Sequence, residues 1–230
     1  MSYQILFIDA DHTLFDFDQS EEIAFRRLLK FIKLEDRFDQ LFPSYTQINR
    51  RIWKELHQGL IKQDQIKTER FQRFIDAEKI NHNPLDLSKQ FTKYLSEASI
   101  LYGDAYEVIE KLSQKFRLVI ITNGLKEVQD KRVRHSILSP FIETTIISDE
   151  IGISKPNSQI IDYTLDILNH KNRDDVVIIG DNLYSDILCG FNANIDTIWY
   201  NPTQQKNTLD KKPTYTISTL KDLLKILEQK

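Results

Sequence analysis

The sequence is short of cysteine, of uninterrupted apolar runs and of any excess of one charge. Its one cysteine, Cys189, excludes an internal disulfide. With no histidine–cysteine cluster beside it, the thiol is expected to pack as a small apolar side chain. No apolar run approaches the roughly 20 residues that cross a bilayer. No basic segment leads into an apolar stretch at the start, as in a secretory leader. A cytoplasmic protein without a membrane partner is the expectation. The formal net charge of -3 supplies no field that would gather a nucleic-acid polymer or an anionic membrane. The short basic run Lys131-Arg132-Val133-Arg134 is expected to be a solvated helix face. His57, His82, His135 and His170 lack metal-ligand spacing and receive no role. There is no internal repeat and no low-complexity tract. What remains is an ordinary globular composition, 40% hydrophobic and 28% charged. The 230 residues suffice for one large domain, or one domain with a smaller insertion.

The first strong signal is Ile5 to Ile8, an apolar run that stops at Asp9-Ala10-Asp11. Such a run fits a strand buried on both faces, as in a parallel sheet. Residues two apart on a continuing strand point the same way, so Asp9 and Asp11 are expected to reach one substrate together. Residues 16–100 then carry helical periodicity and no convincing strand. Asp18 and Glu21 read as a capping box ahead of Phe25, Leu28 and Leu29. Further stripes run through Tyr45, Ile48, Ile52 and Leu56 before Gly59, through Phe71, Phe74 and Ile75, and through Leu87, Phe91, Tyr94 and Leu95.

From Gly103 the rhythm becomes helix, strand, helix, strand. Asp104 and Glu107 are placed to cap a helix. Strands are expected at 118–121, 144–147, 176–179, 196–200 and 214–217. A helix is expected over Glu127 to Leu138, and Pro156 suits the first turn of the next helix. Alternating strands and helices argue for an α/β core, a Rossmann-like parallel sheet covered by helices on both faces. The expected domains are therefore 1–15 with 101–230 as that core, and 16–100 as an inserted all-helical domain.

Four strand ends or loops carry polar residues: Asp9 and Asp11; Thr122-Asn123-Gly124; Lys155; and Asp181 with Asp186. Strands that neighbour one another in a parallel sheet bring such groups to one edge. The set divides chemical labour sensibly. A carboxylate nucleophile splits a hydrolysis into two easier steps. A phosphoryl group in transfer needs fixed positive charge and hydrogen-bond donors, which Lys155, the Thr122 hydroxyl and the N–H groups near Asn123 and Gly124 can supply. Asp9 and Asp181 would repel each other without a cation between them, and Mg2+ suits a site with few protein oxygens.

This constellation resembles the haloacid-dehalogenase-like hydrolase superfamily. Its four motifs stand in order as Asp9-Ala10-Asp11-His12-Thr13-Leu14, Ile121-Thr122-Asn123-Gly124, Gly152-Ile153-Ser154-Lys155-Pro156, and Gly180-Asp181 through Asp186. The resemblance covers nearly the whole chain, and the helical insertion is similar to that superfamily's first class of cap domain. It implies Asp9 as nucleophile and Asp11 as general acid, then base. It implies Thr122 and Lys155 on the phosphoryl oxygens. It places Mg2+ on Asp9, the Asp11 main-chain carbonyl and Asp181, with Asp186 acting from behind these direct ligands or through water. The cap is expected to close over the site, exclude water and select the leaving group. The phrases Ile147-Ser148-Asp149-Glu150-Ile151-Gly152-Ile153-Ser154-Lys155-Pro156-Asn157 and Ser185-Asp186-Ile187-Leu188 look like the bacterial pyrimidine 5′-nucleotidase subgroup. The implied substrate is a small phosphate ester, a nucleoside 5′-monophosphate with a pyrimidine base preferred; the protein itself would be a monomer or homodimer. His12 departs from the pattern, standing where the superfamily often has glycine and the subgroup an acid.

Other readings stay open at this point. The same core serves phosphatases of sugar phosphates or phosphoglycolate, sugar phosphomutases, and dehalogenases, although a dehalogenase has no need of the acid Asp11. Phospho-acceptor signalling domains also combine Asp, Thr and Lys around magnesium, but lack so large a helical insertion. A silent binding protein on this fold is a further alternative. Each motif alone is more simply a turn or a helix start, and Tyr45, Trp53, Phe71 and Phe74 at helical spacing are more simply core than a stack for a base.

Overall fold

The computed structural model describes residues 3–228, without the side chains of His57, Gln63, Asp64 and Glu228. Positions 1–2 and 229–230 of the expected α/β range, and the His57 side chain, therefore lie outside the described residues. Among those residues, one sheet holds β1 Ile5–Ile8, β2 Arg117–Thr122, β3 Thr144–Ile147, β4 Val176–Gly180, β5 Asp196–Tyr200 and β6 Tyr215–Ile217. The helices are α1 Phe17–Phe31, α2 Phe38–His57, α3 Gln63–Glu78, α4 Pro84–Ser96, α5 Ala105–Ser113, α6 Lys126–Gln129, α7 Ser148–Ile151, α8 Gln159–Ile167, α9 Leu188–Ala193 and α10 Asp222–Glu228. The chain divides into two compact units, Met1–Phe17 with Ser99–Lys230, and Asp18–Ala98.

The strand order is β3-β2-β1-β4-β5-β6, and every neighbouring pair is parallel. This is the doubly wound, Rossmann-like α/β arrangement. The strands are rich in Ile and Val because both faces are covered. Alternate residues go to opposite sides. Leu6, Ile8, Leu118, Ile120, Val177 and Ile179 pack with Val108 and Leu112 of α5 and Leu223 of α10. Ile5, Phe7, Val119, Ile121, Val176 and Ile178 pack with Ile161 and Leu165 of α8. Cys189 is fully buried in that second layer, as a small apolar group.

The helical unit has a core of aromatic rings. Phe25 stacks on Tyr45 at 4.6 Å between centroids, and Tyr45 in turn meets Phe71 at 5.8 Å and Phe91 at 5.2 Å. Tyr45, Phe71 and Phe74 are fully buried, which is the core reading of these residues. A polar group is buried beside them: Arg70 Nη1 donates to Asn49 Oδ1 at 3.0 Å, and Asn49 Nδ2 donates to Glu21 Oε1 at 2.6 Å. The burial raises the Glu21 carboxyl above its ordinary range.

Four local expectations are corrected. Asp18 and Glu21 make no capping box, because α1 already starts at Phe17 and Glu21 lies inside it, bonded to Asn49. Asp104 does sit at the start of α5, but its side chain makes no capping bond. Pro156 lies ahead of α8 rather than in its first turn. Asn157 N closes a turn on Ser154 O at 2.9 Å, and the helix opens only at Gln159. The helix expected to run to Leu138 stops at Arg134. After α6 the chain widens into a π turn over Asp130–Arg134, where His135 N reaches back to Asp130 O at 3.2 Å.

Candidate active site

The strand order reverses between β1 and β4, and the crevice beyond the carboxyl ends of strands at such a point is where ligands bind in sheets of this kind. Ile8 stands opposite Ile120 of β2 and Ile179 of β4, so Asp9 leaves the sheet level with Ile121 and Gly180. Asp9 N donates to Ile179 O at 2.9 Å, which fixes the exit of the chain. The strand ends there, so Asp11 is not placed by strand alternation, contrary to expectation. A tight turn places it instead: Leu14 N and Phe15 N both donate to Ala10 O at 2.9 Å, and His12 takes the left-handed φ of 61° that the turn requires.

Three carboxylates and one ammonium meet at this edge. Oxygens of Asp9, Asp181 and Asp186 all lie within 4.8 Å of one another. Lys155 Nζ reaches Asp9 Oδ1 at 2.5 Å, Asp186 Oδ1 at 2.7 Å and Ile121 O at 2.6 Å. The Asp9 and Ile121 contacts are hydrogen bonds, whereas the Asp186 contact is an ion pair that leaves the buried Asp186 Oδ1 without a hydrogen-bond partner. Burial and the Asp186 charge hold the Asp9 carboxyl well above the usual carboxylate range, although Lys155 opposes both. The same two causes push Asp181 up to about 7. Burial works against the Lys155 charge, but Asp186 and Asp9 outweigh it and the group stays above its ordinary value. One cation thus faces three acids in a buried place. The excess negative charge, carried entirely on hard oxygen donors, fits a divalent cation such as magnesium.

The flanking residues hold this cluster in place. Asn123 clamps the main chain of Lys155 from both sides: Nδ2 donates to Lys155 O at 2.8 Å, and Lys155 N donates to Oδ1 at 2.9 Å. Asn182 accepts from Tyr184 N and Ser185 N and starts a second π turn, Leu183–Ile187. That turn brings Asp186 back over Gly180, where Asp186 Oδ2 accepts from Asn182 N at 3.0 Å. A β-carbon at Gly180 would stand 2.4 Å from Asp186 Oδ2, so glycine is needed for the approach. Thr13 Oγ1 donates to Asp181 Oδ1 at 3.3 Å, and Trp199 Nε1 donates to Asp181 O at 2.8 Å.

Asp11 turns elsewhere. Its Oδ2 accepts from Gln129 Nε2 at 2.7 Å, and its Oδ1 pairs with Arg132 Nη1. Gln129 Nε2 also reaches Thr122 Oγ1 at 2.9 Å, so one amide spans the two residues. A β-carbon at Gly124 would strike the Gln129 side chain at 2.4 Å. The structure therefore brings Asp9, Lys155, Asp181 and Asp186 into one cluster, with Asp11 and Thr122 joined through Gln129. Gln129 and Arg132 escaped the sequence reading, and Arg132 is its clearest error. The residue expected on a solvated face is wholly buried. The signal that finds both is helical phase: Val128, Gln129, Arg132 and Val133 fall at i, i+1, i+4 and i+5, on one face with two valines.

Comparisons with known proteins point to one family. A family profile described as haloacid dehalogenase-like hydrolase matches residues 6–200. The pyrimidine 5′-nucleotidase YjjG of Escherichia coli K12 is 31% identical over 227 residues, 99% of each chain. The pyrimidine 5′-nucleotidase PynA of Streptococcus pneumoniae is 30% identical over 230 residues, 100% of this chain and 97% of that one. Among solved structures, the magnesium-bound HAD-hydrolase YfnB of Bacillus subtilis superposes with a TM-score of 0.89 at 30% identity, covering 99% of each chain.

Proposed function

Because the chain belongs to the haloacid dehalogenase-like hydrolase family, we propose that it is a magnesium-dependent phosphomonoesterase acting on nucleoside 5′-monophosphates, pyrimidine ones foremost. The observation that carries the chemistry is the meeting of Asp9, Asp181 and Asp186 within 4.8 Å around Lys155. The nucleotide specificity rests on the YjjG and PynA likenesses, which run the length of the chain. We likewise read residues 16–100 as a domain of its own inserted into the α/β core.

In the proposed reaction an Asp9 carboxylate oxygen attacks phosphorus, and the bond from phosphorus to the ester oxygen breaks. Asp11 gives its proton to the departing 5′-oxygen, leaving an aspartyl-phosphate on Asp9. Asp11, now a carboxylate, takes a proton from water as that water attacks phosphorus. The Asp9–phosphorus bond breaks, and inorganic phosphate and free Asp9 result. The Thr122 hydroxyl and the main-chain N–H groups at Asn123 and Gly124 hold the phosphoryl oxygens. Lys155, bonded to Asp9 and Ile121 and paired with Asp186, sets its positive charge against a phosphoryl oxygen. Asp9, Asp181 and the Asp11 main-chain carbonyl, with Asp186 beside them, would hold magnesium, which would supply positive charge against those oxygens.

The test is phosphate release from a panel of pyrimidine and purine nucleoside monophosphates, sugar phosphates and phosphoglycolate, with magnesium and with EDTA. Wild type should release phosphate from UMP, dUMP or dTMP only with magnesium. Asp9→Asn should lose at least about a thousandfold, since a carboxamide cannot act as the attacking carboxylate. Release from sugar phosphates alone would keep the chemistry and remove the nucleotidase assignment. Release from no ester would overturn both.

A further inference from the structure

We propose that Arg132 is the positioning residue for Asp11: it fixes the carboxylate that exchanges the proton, with Gln129 holding the other oxygen. The inference rests on the reading of Asp11 as proton donor to the leaving group.

Four observations lead to it. Arg132 is fully buried, and it heads the largest fully buried side chains described in the chain. Its Nη1 pairs with Asp11 Oδ1 and lies 3.2 Å from Gln129 Oε1, while Gln129 Nε2 donates to Asp11 Oδ2 at 2.7 Å. Both carboxylate oxygens are thus held, and a carboxylate held at both oxygens cannot rotate freely. The guanidinium carbon stands 5.3 Å from the Phe15 ring centre and 5.4 Å from that of Phe17, so aromatic faces fix the cation from the Phe15–Phe17 segment. Ser99 Oγ donates to the Arg132 carbonyl oxygen at 2.6 Å, which anchors its main chain.

Stability does not account for such a pair. Arg132 is wholly buried while Asp11 keeps 23% of its side chain exposed, and a pair whose cation has lost its water regains little net free energy, so an apolar pair of similar volume commonly serves a fold as well. The pair instead ends on one side chain whose position matters to the reaction. A displacement of about 1 Å in a reacting group costs on the order of a hundredfold in rate. The π turn over Asp130–Arg134 lies on the same short segment as Gln129 and Arg132, and turns of this kind collect at functional sites.

The experiment compares two esters. One is the best alkyl phosphomonoester of the panel above, whose leaving oxygen needs a proton. The other is p-nitrophenyl phosphate, whose leaving group departs without one. The value of kcat/KM reports the step up to the first irreversible bond cleavage. Asp11→Asn should lower kcat/KM on the alkyl ester by about a hundred- to ten-thousandfold and on p-nitrophenyl phosphate far less. Arg132→Met should show the same selectivity, with a loss of roughly ten- to a hundredfold on the alkyl ester and under about threefold on the aryl one. On p-nitrophenyl phosphate it should also give a burst of nitrophenolate, because water activation then lags. Arg132→Lys, which keeps the charge without the fork, should recover part of the loss; should Arg132→Met not fold, the lysine variant supplies the same comparison. Equal losses on both esters, or none on either, would reduce Arg132 to a structural residue and overturn the proposal. An Asp11→Asn protein impaired equally on both esters would instead overturn the reading of Asp11 itself.

Discussion

Gly180 shows how a single atom decides the site. The Asp186 carboxylate fills the space where any other residue would carry its β-carbon. Gly180→Ala should push Asp186 away from Lys155 while leaving the fold intact. The expected result is magnesium activation weakened by about ten- to a hundredfold, the usual cost of disturbing a residue that supports a metal site. A titration of activity against magnesium, with circular dichroism as the control for folding, reads it. An unchanged titration would mean that Asp186 does not bear on the metal. At this scale the sequence was legible where chemistry coincides with a strand end. Asp9, Thr122 and Asp181 stand out because polar residues break apolar runs, whereas Lys155 lies in a loop past β3 and stands out only beside the other three. Arg132 was hidden by its neighbours: Lys131 and Arg134 made a basic run of it, and charge composition outweighed helical phase. Asp11 is aimed by a turn rather than by a continuing strand, which strand alternation does not foresee.

Among the elements, the strands were the most legible, because β-branched runs buried on both faces have few other solutions. Helix ends were the least. A cap depends on one side chain meeting one N–H, and residue type does not report that meeting. Asn83 and Asp104 make the contrast. Asn83 Oδ1 accepts from Leu85 N at 2.8 Å at the start of α4, whereas Asp104 makes no side-chain bond at the start of α5. Asn83→Ala should therefore cost about 1 kcal/mol in urea unfolding, and Asp104→Ala less than about 0.5 kcal/mol. Equal costs would contradict the capping geometry. The π turns at Asp130–Arg134 and Leu183–Ile187 were illegible for a related reason. Each adds a residue to a helical turn so that side chains reach inward, and the tertiary partner decides that, not local propensity.

For the whole molecule, the change of rhythm after residue 16 and its return near Gly103 are the sequence basis for proposing a helical domain inserted into the core. The crowding of acids was readable only as a list of residues; their distances are a property of the fold. It has a pH signature. The Asp181 carboxyl is raised from 3.8 to about 7 in the folded protein, so the folded state holds a proton that the unfolded chain has lost. The contribution is favourable at low pH and is lost as pH rises through that window. In EDTA, the melting temperature should fall between about pH 4 and pH 7 on this account and level off above it. Magnesium binds the folded state, so it should raise the melting temperature more at pH 8 than at pH 5. An equal rise at both pH values would count against the carboxylate cluster as its site.

The central place of β1 also bears on how the protein is made. Its sheet neighbours begin only at Arg117 and Val176, so this strand, one of the central pair, is translated before either flank exists. At ordinary translation speeds the wait for Arg117 is roughly 5–20 s, during which the whole helical unit is synthesised. Through that interval Ile5, Leu6, Phe7 and Ile8 have no sheet to enter, and a nascent chain offers them to chaperones or to other nascent chains instead. The segment that carries Asp9 to the centre of the finished enzyme is thus also its longest exposure on the ribosome.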